Sequence, residues 1–278
     1  MSSALRPSPS EAAAEWAERV RADRAQVDAY REEPERPDFY GPIAANFKAD
    51  PRRTDDPILS ALQHLVVPGE TWLDIGAGGG RFGLGVALRA KEVIAVEPSD
   101  GMGNLLRECM VEYEVPNVRI VQSRWPMPDP PRADVALIAN VGNDVENFGE
   151  FLDAMEASAD RLCVAVQTAR PPASFAYPFW PPVHGVERVV LPCLPDLLAM
   201  LLARGRLFEV RLFPRPPMSY DDPAVAMRML RQQTWVKEGS EKDRRLHEAA
   251  NTAMTERSGR WSLNWAPLQI GVVSWAPR

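Results

Sequence analysis

The feature that most constrains the fold is a glycine-rich turn within residues 72–87, where an apolar strand runs into a helix. Asp74, Gly76, Gly78 and Gly80 follow one another at every second position. Because glycine has no Cβ, the backbone here can turn tightly and approach a ligand closely. The helix after the turn points its free N–H groups at the same place. The pattern predicts a cofactor cradle.

A turn of this kind serves two cofactor classes, dinucleotides and S-adenosylmethionine. The register Gly78, Gly80 and Gly83 fits the G-x-G-x-x-G pattern of dinucleotide binding. The glycines alone therefore do not distinguish between the two cofactor classes. Asp74 favours S-adenosylmethionine, because a carboxylate before the glycines repels a pyrophosphate but pairs with a cationic amino-acid group. Glu97 ends the next predicted strand and suits a ribose, whose two hydroxyls can donate to one carboxylate.

Over roughly residues 58–168 the chain resembles the class I S-adenosylmethionine-dependent methyltransferases. The resemblance rests on the glycine turn, on residues 96–99 and on Met102. It implies a Rossmann-like α/β fold with a seven-stranded sheet, and S-adenosylmethionine as the cofactor. It also implies that Asp74 and the three glycines hold the methionine part, that Glu97 binds the ribose, and that Met102 packs on the adenine.

Three further residues are candidates for the cofactor site. Ser123 and Trp125 follow the third predicted strand, where many members of the family carry an acid for the adenine amino group. Adenine needs an acceptor and a flat apolar neighbour, which these two residues can supply. The alternative is that Trp125 only covers the sheet edge. Tyr40 lies in a segment that resembles the family's tyrosine-containing approach segment, and it would either lean over the cofactor or serve packing alone.

Polar residues end the fourth predicted strand, at the carboxyl edge where a doubly wound sheet meets its ligands. This position predicts Asn140 at the cofactor and Asn143 and Asp144 at the methyl acceptor. The alternative for Asn143 and Asp144 is to cap the helix that follows. The family's branches that methylate amino groups of adenine or glutamine carry (Asn/Asp)-Pro-Pro-aromatic here, whereas this chain has Asn140-Val-Gly-Asn, which argues against those acceptors.

A catalytic base is needed only for weakly acidic acceptors, because methyl transfer depends mainly on alignment. His184 is the candidate base for a hydroxyl acceptor, with a surface or packing role as the alternative. The rings of Phe175, Tyr177, Phe179 and Trp180 predict an aromatic wall beside the acceptor, unless they bury one another. We therefore expect a small-molecule acceptor, methylated at oxygen.

Composition narrows the class of protein. The 278 residues, of which 45% are hydrophobic, suffice for one core domain with an elaboration. A formal net charge of −6 gives no electrostatic footprint for nucleic acid. The three cysteines form no C-x-x-C pair, so neither a zinc site nor a disulfide framework is indicated. No segment approaches the roughly 18 apolar residues of a membrane span, and we expect a cytoplasmic protein without a membrane partner.

Strand–helix alternation up to residue 168 predicts a parallel sheet, with further strands at 208–213 and 268–275. A long insertion, with helices predicted at 223–237 and 241–257, thus separates two strands that are usually close in the family. The insertion can cover the acceptor pocket, form a homodimer or only stabilise the fold, and the N-terminal helix can pack on the core or on a second subunit. The predicted parts are an N-terminal helical extension (1–56), the S-adenosylmethionine-binding core (57–220), a helical insertion (221–262) and the last strand (263–278).

The leading hypothesis is an S-adenosylmethionine-dependent methyltransferase that acts on a small molecule. Three alternatives stay open. One is an RNA or protein methyltransferase, which the acidic charge balance disfavours. Another is an NAD(P)-dependent oxidoreductase, supported only by the second register of the glycines. The third is a cofactor-binding module that has lost its catalytic function.

Overall fold

The computed structural model describes residues 7–34, 37–215, 219–263 and 268–278. From β1 to β5 helices follow the strands as the sequence predicts, except that β3 and β4 are joined without a helix. In chain order the elements are α1 (Pro9–Tyr30), α2 (Pro57–Leu65), β1 (Thr71–Ile75), α3 (Gly83–Ala87), β2 (Glu92–Val96), α4 (Asp100–Glu112), β3 (Val118–Val121), β4 (Ala133–Ala139), α5 (Phe148–Ala157), β5 (Ala159–Thr168), α6 (Trp180–His184), α7 (Leu194–Ala203), β6 (Phe208–Arg215), β7 (Ser219–Tyr220), α8 (Pro223–Thr234), α9 (Glu241–Ala253), β8 (Met254–Arg257), β9 (Arg260–Leu263) and β10 (Leu268–Trp275). Short 3₁₀ segments span Gly41–Phe47 and Pro172–Phe179.

The main sheet has seven strands in the order β3-β2-β1-β4-β5-β10-β6. The strands β1 to β5 pair in parallel, and β10 pairs antiparallel with both β5 and β6. This arrangement confirms the predicted Rossmann-like seven-stranded α/β fold. The carboxyl ends of β1, β2 and β4 lie side by side, which brings the residues that follow these strands to one edge of the sheet.

Two layers of helices cover the sheet, because its central strands are apolar on both faces. Side chains alternate along each strand, so Trp72 packs towards α2, α3 and α4, whereas Leu73 packs towards α1, α5 and α7. Both residues are fully buried. The polar residues at the carboxyl edge therefore project from a closely packed core, which holds them in fixed positions.

The N-terminal helix α1 packs on the core of its own chain. A capping box of Ser8 and Glu11 fixes its start. The ring of Trp16 stacks on Phe148 of α5 with centroids 4.1 Å apart, and its Nε1 donates to the carbonyl of Val145 at 3.0 Å. The formation of a homodimer stays a prediction.

The insertion differs from its sequence prediction, which gave helices at 223–237 and 241–257. The first helix ends at Thr234, because Trp235 takes a left-handed conformation with φ +57°. The second ends at Ala253, and residues 254–263 fold back as a hairpin. Its turn, Ser258-Gly259, has positive φ at both residues, as tight hairpins require. The hairpin joins β7 in a three-stranded sheet of order β7-β9-β8.

A third apolar cluster joins the insertion to the segment after β5. It includes Phe179 and Val183 beside Leu230 of α8 and Leu246 of α9. No strand forms over 186–191, where the sequence has a short apolar run. The domain boundaries at 56, 220 and 262 stay predictions. Within the described ranges, no helix combines the length and apolar character needed to cross a bilayer.

Candidate cofactor site and its surroundings

The glycine turn lies at the carboxyl end of β1 and has the backbone conformation that glycine favours. The φ angles of Gly76, Gly78 and Gly80 are +71°, +55° and +82°. A Cβ on Gly76 would lie 2.6 Å from Cγ2 of Val141, so the turn packs directly against the loop after β4. A Cβ on Gly78 would meet only Sδ of Met102, at 4.0 Å, so this glycine borders open space. The turn is thus packed on one side and leaves room for a ligand on the other.

Two buried carboxylates flank the turn. Asp74 and Glu97 are 3% and 6% exposed. Glu97 accepts hydrogen bonds from the backbone N–H of Gly78 at 2.7 Å and of Ser99 at 2.8 Å. Burial and the neighbouring Glu97 raise the pKa of Asp74 to about 7, and burial raises the pKa of Glu97. No lysine or arginine in the described ranges pairs with either carboxylate, so the site favours a ligand that carries positive charge.

Gly83, the first residue of α3, is a member of the site that the methyltransferase pattern does not single out. Its backbone N–H acts on Asp74 in the direction that lowers the pKa of the carboxyl group, although burial outweighs this effect. A Cβ at this position would lie 2.4 Å from Oδ2 of Asp74. Glycine here therefore lets the start of the helix approach the carboxylate closely.

Asp38 organises the approach segment, and sequence reasoning missed it. Its carboxylate accepts from Oγ of Ser99 at 2.8 Å and from the backbone N–H groups of Gly101 and Gly41, each at 3.0 Å. These bonds fasten the segment before Gly41–Phe47 to the loop after β2, beside Glu97. A local signal existed, because aspartate often bonds to backbone N–H groups two or three residues later. The sequence gave no indication that Asp38 would also bond to Ser99 and Gly101, which are 61 and 63 positions away.

Tyr40 lies close to two of the predicted site residues. Its side chain is 45% exposed, and its ring centroid is 6.1 Å from that of Phe47. Burial around its hydroxyl, with the carboxylates of Asp144 and Glu97, raises the pKa of Tyr40 to about 12. The hydroxyl is therefore protonated at neutral pH and can donate a hydrogen bond. The structure thus brings Tyr40, Glu97 and Asp144 together, and their contacts with a cofactor or an acceptor stay predictions.

In the loop after β4, Asn143 holds the fold together, whereas Asn140 and Asp144 keep polar atoms that can bind a ligand. Asn140 takes a left-handed conformation with φ +54°, and its Oδ1 is buried without a partner among the described residues. Asn143 is 5% exposed and donates from Nδ2 to the carbonyl of Pro192 at 2.5 Å. This bond ties the loop to the segment before α7, so the predicted substrate role of Asn143 is not supported. Asp144 is exposed. Neither residue caps α5, whose N-cap position is Asn147.

The predicted adenine contact of Trp125 needs correction, whereas that of Ser123 stays a prediction. Trp125 donates from Nε1 to the carbonyl of Phe151 at 3.3 Å and meets its ring edge-on, 6.4 Å between centroids. It therefore covers the sheet against α5, which is the alternative that the sequence left open. Ser123 donates to the carbonyl of Arg124 at 3.1 Å. Met102 is 4% exposed and lies beside Gly78, and its packing on the adenine, which the family resemblance implies, stays a prediction.

The structure also contradicts the roles predicted for His184 and Trp180. Nε2 of His184 lies 2.8 Å from the carbonyl of Thr234 in α8, so it carries the proton and donates. Trp180 is fully buried and lies under the guanidinium of Arg188, 4.3 Å from its ring centroid. Both rings contact Tyr30 of α1. They join α6 to α1 and to the insertion, and they form no wall at the carboxyl edge.

We expect His184→Leu to lower stability and to leave catalysis per folded molecule unchanged. Burial lowers the pKa of His184, so the folded protein disfavours its protonation. The stability that the neutral ring contributes is present above the unfolded pKa of about 6.5 and is lost as pH falls below it. Loss of the bond to Thr234 should cost about 1–3 kcal/mol. Thermal unfolding between pH 5 and 8 measures this, and a variant that folds normally but loses turnover would restore the catalytic role.

No family model and no curated protein sequence matches the chain. Solved structures do. A candidate methyltransferase from Bacillus halodurans C-125 aligns over 80% of this chain and 100% of its own, at 16% identity and a TM-score of 0.55. The chain has the fold of the class I methyltransferases. Coclaurine N-methyltransferase, solved with N-methylheliamine and S-adenosylhomocysteine (SAH), covers 93% of this chain and 88% of its own, at 11% identity and a TM-score of 0.50.

The fold alone does not decide the reaction. The 4+2 cyclase SpnF aligns over 98% of this chain and 97% of its own, at 12% identity and a TM-score of 0.51. A shared sheet can therefore support different chemistry. The function has to be argued from the carboxylates and glycines of this chain.

Proposed function

We propose that the protein is a methyltransferase that uses S-adenosylmethionine and acts on a small molecule. The observation that carries the proposal is the pair Asp74 and Glu97, two buried carboxylates beside a glycine turn, with no basic side chain of the described residues to neutralise them. Such a pair is stable as two anions only when a cation binds beside it.

S-adenosylmethionine fits this site by charge and by hydrogen bonding. It carries an ammonium and a sulfonium, and its bound form supplies an electrophilic methyl group. Asp74 would hold the ammonium end, and Glu97 would accept from the ribose hydroxyls. Each carboxylate oxygen of Glu97 already accepts one backbone N–H and keeps capacity for another donor. A pyrophosphate next to these two carboxylates would be repelled, which argues against NAD(P).

The acceptor would approach at the carboxyl ends of β4 and β5. Asp144 and the hydroxyl of Tyr40 lie there, close to Glu97. None of the three histidines lies at the glycine turn: one is in α2, one in α6 and one in α9. We therefore propose methylation at oxygen for acidic acceptors, such as phenols and carboxylic acids, because they react without a strong base. A panel of phenols, carboxylic acids, amines, RNA and peptides tests the acceptor class.

Calorimetric titration of the full-length protein with SAH, NAD and NADP tests the cofactor. We expect saturable binding of SAH and no binding of either nicotinamide cofactor. Binding of NAD or NADP without SAH would overturn the proposal. SAH binding without turnover on any member of the acceptor panel would favour the catalytically silent module instead.

We expect Glu97→Gln to weaken SAH binding about 10- to 100-fold, because hydrogen bonds to a charged acceptor contribute about 1.5–3 kcal/mol. The substitution also presents an amide –NH₂ to the backbone N–H of Gly78 or Ser99. The matched control is Glu92→Gln. Glu92 begins the same strand at the opposite edge and pairs with Arg119 at 3.2 Å. Equal affinity of the Glu97 variant and the wild-type protein would refute the ribose role.

A further inference from the structure

The carboxyl edge also carries arginines that the cofactor proposal does not use. Arg53 and Arg81 share the carboxylate of Asp56, at 3.0 Å and 3.3 Å. Asp56 caps the start of α2, and α2 runs back from the carboxyl edge to the start of β1. Arg215 is the last residue of β6. Within the described ranges these three guanidinium groups thus pair with one carboxylate, in a protein whose formal net charge is −6.

The topology places Arg215 on the same edge and face as this pair. The strand β6 runs antiparallel to β10, which runs antiparallel to β5, so β6 also ends at the carboxyl edge. Phe213 packs on the apolar cluster under α2 and α3, and Arg215, two residues later, faces the same way. Arg215 pairs with Leu268 of β10, the strand that α2 contacts. Burial and the proximity of Arg81 lower the pKa of Arg215.

Among the residues that the structure describes, Arg215 lacks the partner that a half-buried cation needs. Its side chain is half-buried, and no hydrogen bond or ion pair joins it to any residue in the described part of the chain. Placing a charge away from water is costly unless an opposite charge or hydrogen-bond acceptors compensate. A bound anion would compensate it. The planar guanidinium fork suits a carboxylate or a phosphate, both of which it can bind through two hydrogen bonds.

A cavity opens at the same edge, beside the residues that precede Arg215; neither Arg215 nor Arg81 lines it. It has a volume of about 400 Å³ and lies beside the end of β6, within the size range of small-molecule sites. Arg170, which follows β5, is an exposed cation in its wall. The other lining residues are Ala169, Leu212, Phe213, Pro214, Leu268 and Gln269.

We infer that Arg215, with Arg81, binds an anionic group, a carboxylate or a phosphate, of the methyl acceptor. The inference rests on the proposed function. The position of Arg215 favours the acceptor over the cofactor, because β6 is separated from β1 by β4, β5 and β10. Four strand spacings of about 4.8 Å therefore lie between the backbones of β1 and Arg215, while the guanidinium of Arg81, which directly follows the glycine turn, lies close enough to Arg215 to affect its pKa. A ligand that reaches Arg215 crosses the ends of β4 and β5, where we place the acceptor.

Inorganic phosphate is the first probe, added to the full-length protein at constant ionic strength and followed by thermal unfolding. We expect a saturable rise in melting temperature that Arg215→Gln abolishes. The matched control is Arg211→Gln, on the same strand, where the guanidinium is exposed and lies 5.5 Å from the ring of Phe213. Without phosphate, Arg215→Gln should melt no lower than the wild-type protein, because it removes an unpaired charge. An equal phosphate effect in both variants would overturn the site.

Two cofactor analogues, one with a carboxylate and one without, test whether Arg215 binds the acceptor or the cofactor. SAH carries a carboxylate, and 5′-methylthioadenosine does not. We expect Arg215→Gln to leave the affinity for both within twofold of the wild-type value. A selective loss of SAH affinity would assign Arg215 to the cofactor and overturn the acceptor role. If SAH does not bind to the wild-type protein while the phosphate effect depends on Arg215, the proposed function fails and the anion site stands.

Kinetics complete the test once the acceptor panel yields a substrate. We expect turnover on members that bear a carboxylate or phosphate distant from the methylated atom. For these members Arg215→Gln should raise KM at least tenfold and leave kcat nearly unchanged, because the contact holds the acceptor equally before and during transfer. Preferred turnover on members without an acidic group would contradict the inference.

Discussion

The variant Asp74→Asn is expected to be more stable than the wild-type protein at pH 8 and to lose SAH binding by more than 100-fold. Asp74 is buried beside Glu97, and its pKa is raised to about 7. Ionisation of Asp74 at pH 8 therefore destabilises the protein when no ligand is bound. Asparagine keeps an oxygen that can accept from the backbone N–H of Gly83, and it removes the charge. It also removes the anion that would hold the cofactor's ammonium.

The pH dependence gives this prediction a definite sign. In the unfolded chain Asp74 ionises near 3.8, whereas in the folded protein it ionises at about 7. Between these values the folded state holds a proton that the unfolded state has released, so the stability falls as pH rises through this window. The gain from Asp74→Asn should be small near pH 4 and reach about 2–4 kcal/mol above pH 7. Thermal or urea unfolding of the free protein from pH 4 to 8 measures it.

Asp134→Asn is the matched control, and its effect should have the opposite sign. Asp134 lies at the other edge of the sheet and accepts from the backbone N–H of Thr71 at 2.7 Å, which lowers its pKa. Its contribution to stability is present above the unfolded pKa and is lost as pH falls, so the control should be less stable than the wild-type protein at pH 8. If Asp74→Asn were also destabilising at pH 8 and still bound SAH, the buried-anion argument would be wrong.

The core of the fold followed from local sequence signals. The apolar runs that end before Asp74 and Glu97 predicted β1 and β2, and the last strand occupies the predicted residues 268–275. A strand buried on both faces has a continuous apolar sequence, and a glycine turn needs glycines at fixed spacing, so both signals are contained within a few residues. For the same reason Asp74, Glu97 and the glycines could be placed from the sequence.

The surroundings of the site depended on distant contacts, which a single sequence does not display. Trp125 packs against α5 because its Nε1 donates to the carbonyl of Phe151. His184 has a structural role because its ring bonds to the carbonyl of Thr234, 50 positions away in the sequence. The hairpin after α9 was missed because its strands of four residues are too short to show a period of two. Asp38 was missed because three of its partners are backbone N–H groups, which every non-proline residue carries.

The insertion and the approach segment are physically connected. Nε2 of Gln232, in α8, donates to the carbonyl of Phe39 at 2.6 Å, and the ring of Trp235 lies 5.5 Å from that of Phe39. Phe39 stands between Asp38, which bonds to the loop after β2, and Tyr40, which lies near Glu97. The insertion therefore supports the segment that covers the proposed cofactor site, in addition to packing against α6.

We expect Asp38→Ala to weaken SAH binding about 10- to 100-fold and to loosen residues 37–47. The carboxylate accepts four hydrogen bonds, from Ser99, Gly101, Gly41 and Tyr40. A typical net contribution of about 0.5–1.5 kcal/mol each makes their joint loss larger than the stability of a short surface segment. Binding would then have to order the segment, and the affinity would fall by that cost. Hydrogen exchange of the free protein and calorimetry with SAH measure the two effects.

Asp28→Ala is the control, because Asp28 lies on the exposed side of α1 and pairs only with Arg31 among the described residues. It should change neither exchange at 37–47 nor the affinity for SAH. Faster exchange at 37–47 in Asp38→Ala, with unchanged affinity, would mean that this segment does not contact the cofactor. Weaker binding without faster exchange would mean that Asp38 contacts the ligand directly. Only the joint change supports a segment that the cofactor needs in place and that Gln232 of the insertion helps to hold there.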